Sequence, residues 1–301
     1  HMRLLDVEKA WEITQGSRGI KVAIISTGAN YKLDVLKANI DVNVAEIGHN
    51  GIDDDGNGFI DDVYGVNTFL NSGDPMDFFG IGSYVASLIG GVRGFTPGIL
   101  KEVSMIPINT FSDQGSGPVE AALHAISYAM KRGARIVELG FGSGTRSEAM
   151  CAVIEEGRKN NILFIAPAGN SAQDIDAAPI YPASCATENI LVVATTDRND
   201  ELASYASWGP KGVHVTAPGH QIMGTNHLGQ PTQYSGASVS SGIATAVAAL
   251  ALSANPGLSY LQLKNVLIYG VDPIPALAGR VSSGGRMNAL SAVRLARSIP
   301  R

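Results

Sequence analysis

Six short runs of apolar, mostly β-branched residues recur along the chain, each shorter than a typical helix, and their spacing constrains the fold more than any other feature. The first, Lys21-Val-Ala-Ile-Ile-Ser26, ends at Thr27-Gly28 and has the profile of a strand buried on both faces of a parallel sheet. The others lie at 103–109, 135–139, 162–166, 190–194 and 213–217. Helical patterns at 82–89, 118–131, 147–159, 238–252, 259–268 and 287–297 alternate with several of them, and Pro118 and Gly133 bracket one as start and stop signals. This alternation predicts βαβ units: an α/β chain in three αβα layers, with a largely parallel central sheet, as one domain over residues 3–301. His1-Met2 reads as an expression scar. Ligands of such sheets gather beyond the strand C-termini.

Composition narrows the function classes. With 45% hydrophobic residues and only 16% charged, the 301 residues can bury a sizeable core, which excludes disorder and coiled coil. Twenty-two basic against 27 acidic residues, a net charge of -5 with no basic block, exclude a nucleic-acid surface. No run approaches the roughly 18 apolar residues of a bilayer span, so no membrane insertion is expected, and the N-terminus lacks a signal-peptide profile. Cys151 and Cys185 are too few for a disulfide scaffold or zinc cluster and read as a buried thiol pair.

Asp53-Asp-Asp-Gly-Asn-Gly-Phe-Ile-Asp-Asp62 places oxygen side chains at the first, third and fifth positions and Gly at the sixth, which is the first half of a calcium loop. Tyr64 stands where such a loop has its bidentate Glu, so the expected ligands are Asp53, Asp55, Asn57, the Phe59 carbonyl, and Asp61 or Asp62. The expected role of this calcium is structural. Gly115-Ser116-Gly117 and Gly140-Phe141-Gly142 follow two of the strands, where small residues serve either as plain turns or as places of close chain approach.

Four segments carry a further signal: Val22-Ala-Ile-Ile-Ser-Thr-Gly28, Gly80-Ile-Gly-Ser-Tyr-Val-Ala86, Ala166-Pro-Ala-Gly-Asn170 and Tyr234-Ser-Gly-Ala-Ser-Val-Ser-Ser-Gly242. In order and spacing they resemble the subtilisin-like serine protease family (peptidase S8), over nearly the whole chain. The resemblance implies the subtilisin-like αβα fold, and the Asp-rich loop is similar to one that some calcium-containing members carry. It also implies a catalytic Asp after the first strand, but Ser26 stands there. The general-base His of the family's His-Gly-Thr-His pattern is Ile81. Ser238 keeps the nucleophile's position and Asn170 that of the oxyanion-hole amide.

A serine hydroxyl attacks a carbonyl only when a neighbour removes its proton, and Ile81 has no group that accepts one. In subtilisin, loss of the base alone costs on the order of 10⁶ in turnover. Histidines stand at 1, 49, 124, 214, 220 and 227, none of them in helix 82–89, and that helix has no acidic residue to serve as a sedolisin-type substitute. Tyr84, Ala237 and Gly242 depart from the pattern as well, as natural divergence would have it. The expectation is a degenerate member, a pseudoprotease that binds a protein or an extended peptide between segments 115–117 and 140–142, or that scaffolds through an outer surface. An active endopeptidase using Ser238 with an unconventional base is the alternative. Most members are secreted or vesicular, which places the expected location there and is compatible with a removed propeptide.

Overall fold

The computed structural model describes residues 1–92 and 97–300; Arg301, the last residue of the expected domain, lies outside them. Eleven strands are found among the described residues: β1 (Gly16–Ser26), β2 (Val66–Asn67), β3 (Glu102–Asn109), β4 (Ile136–Leu139), β5 (Leu163–Pro167), β6 (Ile190–Thr196), β7 (Val215–Pro218), β8 (Ile222–Thr225), β9 (Pro231–Tyr234), β10 (Val271–Pro273) and β11 (Gly285–Met287). The helices are α1 (Val7–Ala10), α2 (Ile81–Gly90), α3 (Val119–Lys131), α4 (Glu148–Lys159), α5 (Ala237–Ala254), α6 (Tyr260–Tyr269) and α7 (Ala289–Ser298). Nine strands form one sheet in the order β10-β11-β7-β6-β5-β4-β1-β3-β2, parallel throughout except for β10 against β11. Each of the six apolar runs falls on a strand. The hairpin β8-β9 and the short edge strands lacked a long apolar run and were not foreseen.

Two hydrophobic cores flank the sheet. One packs α2, α5 and α7 against residues such as Val22, Ile24, Leu163 and Val193; the other packs α3 and α4 against Ala23, Ile25, Phe164 and Val192. Alternate residues of one strand therefore feed opposite cores, as a doubly covered parallel strand requires. The helix α5 corrects one sequence expectation: its 18 residues are long and apolar enough to cross a membrane (mean hydropathy 1.6), yet 83% of them are buried inside the protein. Length and composition do not separate a span from a central core helix, and here the sheet and the helices around α5 take the place of lipid.

A second correction concerns the cysteines. Cys151 on α4 and Cys185 form a disulfide, with Cα atoms 5.4 Å apart across 34 residues of sequence.

The chain topology converges on the end of β1, which lies between β3 and β4. The Thr110 N–H donates to the Ser26 carbonyl (3.0 Å) and the Gly140 N–H to that of Ile25 (2.9 Å), so the segments following β3 and β4 both leave from this point. Helix α2 docks there through Gly82, whose N–H donates to Thr27 Oγ1 (2.9 Å). A β-carbon on Gly82 would collide with the Gly28 carbonyl, and backbone cannot swing aside as a side chain can. Gly82→Ala is therefore expected to lower stability by about 1–3 kcal/mol in urea denaturation. Gly144→Ala, where an added carbon meets nothing within 4 Å, should stay within about 0.5 kcal/mol of the parent.

Candidate functional site

Four strand ends and two helix starts assemble the site. Ser26 is buried at the end of β1, half-buried Ile81 opens α2, and half-buried Ser238 is the second residue of α5. Exposed Asn170 follows β5, and its Oδ1 accepts the Ala237 N–H at 2.8 Å, fixing the amide beside the start of α5. A β-carbon on Gly236 would stand 3.9 Å from both Asn170 Nδ2 and Ser238 Oγ, so amide and hydroxyl share one small space. Gly236, not Ser238, is the N-cap of α5, so the hydroxyl is not spent on capping.

Around Ile81 the chemistry is apolar. Its side chain packs against the core beneath α2. Tyr84, one turn on, is fully buried, edge-on to Tyr234 (4.7 Å between ring centres), and donates its hydroxyl to the Ile222 carbonyl (2.5 Å). Its ring fits because residue 224 is glycine: a β-carbon there would lie 2.5 Å from the ring. Gly242 likewise faces Val85, at 2.7 Å from a built β-carbon. The departures from the family pattern are thus matched by their neighbours.

The polar groups near the site are largely committed elsewhere. Asp77 is buried, and its two oxygens accept the N–H groups of Phe79 (3.0 Å), Gly80 (2.7 Å) and Ser83 (2.8 Å), which anchors the α2 N-terminus. His214 accepts the Val192 N–H on Nδ1 (2.9 Å), and burial, helped by Lys264, pulls its pKa down to about 3. His124 is exposed on α3. His227 packs against Gly80, and its buried Nδ1 has no hydrogen-bond partner among the described residues.

Glu138, on β4, is fully buried below this cluster. Ser241 Oγ on α5 reaches both Glu138 Oε1 (2.6 Å) and the Ser238 carbonyl (3.1 Å), while Glu138 Oε2 has no partner. Burial pushes this carboxyl up to about 8, against which the Ser241 hydrogen bond is a smaller, opposing effect. Sequence inspection passed over Glu138, although an acid in the middle of an apolar strand run is itself a signal.

Of the two Gly segments, Gly117, Phe141 and Gly142 line a cavity, whereas Gly115, Ser116 and Gly140 line neither cavity beside Phe111. Phe111, following β3, touches Phe141 edge-on (6.4 Å). On one side of Phe111 is a cavity of about 190 Å³ lined by Gly117, Phe141, Gly142, Met150 and Tyr181. On the other is one of about 310 Å³ lined by Thr27, Phe69, Phe78 and Phe79. Phe79 lies over Gly115, 3.0 Å from a built β-carbon, while Ser116 is exposed and its carbonyl accepts the Ser112 N–H. Pro167 is buried at the end of β5 and lines neither cavity.

The acidic loop divides its carboxylates. Asp55 and Asp62 come together with Glu46, their oxygens within 4.8 Å of one another. Asp53 accepts the N–H groups of Asn57 and Gly58, sharing the Asn57 N–H with Asp55, and Asp61 accepts those of Asn50 and Gly51, so both help to fold the loop. Asn57 Nδ2 donates to Asp62 (3.0 Å), and the Phe59 ring is buried against Tyr128. Glu46, seven residues before the Asp run, was not foreseen. Its Oε2 is buried without a partner, and burial raises its pKa and that of Asp62. Arg132 supplies a cation at 3.5 Å from Asp62 but is shared with Asp41 (2.7 Å). The three carboxylates fit a divalent cation with oxygen ligands.

A model of the subtilase family matches residues 17–277. The chain belongs to the subtilase family. Subtilisin-like protease 1 of Plasmodium vivax is 32% identical over 297 residues, covering 92% of this chain and 47% of the relative. Thermitase of Thermoactinomyces vulgaris is 27% identical, covering 96% of this chain and 94% of the relative. This chain therefore spans about half the length of the Plasmodium relatives and nearly all of thermitase. Two solved structures share the fold: a cold-adapted subtilisin-like serine proteinase (TM-score 0.73, 24% identity, 91% and 89% covered) and the prenylagaramide maturation protease PagA (TM-score 0.76, 21% identity, 98% and 99% covered). The expected subtilisin-like α/β fold is borne out.

The folded state holds Glu138 protonated up to about pH 8, whereas in the unfolded chain it ionises near 4.5. Its contribution to stability is full below 4.5, falls by on the order of 1 kcal/mol per pH unit as pH rises, and levels off above 8. Glu138→Gln should flatten that difference: in urea titrations at pH 5 and pH 8, the parent loses more stability between the two pH values than the variant.

Proposed function

We propose that this subtilase is catalytically inactive and binds an extended peptide, or an extended segment of a protein, in the groove between residues 115–117 and 140–142. The observation that carries this is Ile81 at the base's position, packed on the apolar core, with Ser26 at the end of β1 at the position of the orienting carboxylate. A hydroxyl without a proton acceptor is a poor nucleophile, and Asp77, before α2, already accepts hydrogen bonds from three backbone N–H groups. Main-chain pairing with a peptide needs no triad, and the cavities on either side of Phe111 favour an open groove over a filled scaffold surface. No role is assigned to nucleic acid or to a membrane.

One observation favours a second reading. His227 has a buried, unpartnered Nδ1 beside Gly80 at the start of α2, and it would serve as the unconventional base of an active endopeptidase. A fluorophosphonate probe followed by intact-mass spectrometry separates the two. The expected outcome is no labelling of the folded protein, whereas stoichiometric labelling lost in both Ser238→Ala and His227→Ala would establish the second reading instead.

The cation is proposed to be a structural calcium held by Glu46, Asp55 and Asp62. The disulfide and this oxygen-ligand site suit an oxidising, calcium-rich extracytoplasmic setting, and one 29%-identical relative from Natrialba magadii is named an extracellular serine protease. Calcium at about 100 times its dissociation constant should stabilise by about 2.7 kcal/mol relative to chelator-treated protein. Glu46→Gln and Asp55→Asn should each reduce the calcium-dependent rise in Tm measured by calorimetry.

A further inference from the structure

We propose that the Cys151–Cys185 disulfide is a reducible latch on the apolar groove pocket. The pocket beside Phe111 has two walls: Ser147 and Met150 at the start of α4, and Tyr181 with Pro182. Cys151 directly follows Met150, and Cys185 stands three residues after Pro182. Among the described residues, no hydrogen bond or ion pair joins residues 147–159 to residues 180–187; Met150 and Ile154 share an apolar core with Ala183, Asn189 Nδ2 donates to the Ile154 carbonyl (2.8 Å) just beyond, and the disulfide is the covalent tie between the two walls. The groove segment is tied to the second wall as well, by the reciprocal backbone hydrogen bonds of Ser143 and Tyr181 (2.8 and 2.7 Å).

The bridge can be reached from outside. A separate depression of about 350 Å³, lined by Arg146, Glu148, Cys151, Tyr181, Ser184 and Cys185, opens onto it, and Tyr181 is the partition between this depression and the groove pocket. Cys151 is partly exposed and Cys185 buried, so attack falls on Cys151. The reductant is a dithiol. Its first thiolate bonds to Cys151 Sγ, the Cys151–Cys185 bond breaks, and Cys185 leaves as a thiolate that is protonated from water. The dithiol's second thiolate then displaces Cys151, which is protonated in turn, and the reductant departs as its own disulfide, two electrons having passed to the bridge. Reduction frees the start of α4 from the 180–187 segment and loosens the pocket between them.

The test is hydrogen–deuterium exchange on the native protein before and after dithiothreitol, with intact-mass spectrometry to follow the bridge and circular dichroism to follow folding; it needs no groove ligand, so its outcome is independent of the peptide-binding reading. The expected result is reduction without global unfolding, with exchange in residues 140–147 and 180–187 accelerated about tenfold and in β1 and β6 unchanged. The Cys151→Ser/Cys185→Ser variant should reproduce that pattern without reductant; if it does not fold, the reduced parent protein carries the test. Unchanged exchange in both segments after reduction, or a bridge that opens only in denaturant, overturns the proposal.

Discussion

The position of β1 between β3 and β4 is the constraint on which the site depends. In a parallel sheet every strand points its C-terminal end the same way, so whatever follows neighbouring strands emerges side by side. Backbone hydrogen bonds from Thr110 and Gly140 pin the start of each groove segment to the last turn of that ladder. Gly82 lets α2 approach the same point, and the Ser241–Glu138 contact holds the start of α5 to β4. These four attachments draw the end of β1 and the starts of α2 and α5 together, and none of them involves the side chains of Ser26, Ile81 or Ser238. The shape of this region is therefore set by the framework and does not depend on which side chains stand at 26, 81 and 238.

A buried polar group without a partner costs free energy, so stranded polar groups around Ser26, Ile81 and Ser238 would destabilise the fold. The neighbourhood instead distributes its polar groups so that most are satisfied: Asp77 holds the α2 terminus, Asn170 holds α5, and Tyr84 spends its hydroxyl on the Ile222 carbonyl. Glu138 Oε2, His227 Nδ1, Thr110 Oγ1 and Thr225 Oγ1 are among the exceptions. They mark where the interior remains chemically unsettled.

Much of this was legible in the sequence. Doubly buried strands advertise themselves as continuous apolar runs, and the helices between them carry their own start and stop residues, so the sheet and its helices follow from local pattern. The positions of Ser26, Ile81, Ser238 and Asn170 were legible because motifs sit at strand ends and helix starts, where local sequence dictates backbone form. The remaining features are products of long-range packing. Nothing in the residues around Cys151 and Cys185 says that a helix and a loop 34 residues apart will meet. Glu46 enters the acidic cluster through the way its own loop folds back, while Asp61, which satisfies the calcium-loop spacing, is claimed by the Asn50 and Gly51 N–H groups. Even the membrane-length apolarity of α5 is a matter of what surrounds it.

The fit of Tyr84 into the space over Gly224 ties two residues 140 positions apart in the chain. A side chain at 224 excludes the ring, and a small residue at 84 leaves a void and an unclaimed Ile222 carbonyl. Neither position can therefore vary alone without a clash or a void, and the stability of the start of α2 is set jointly by a residue on that helix and one on a hairpin far along the chain.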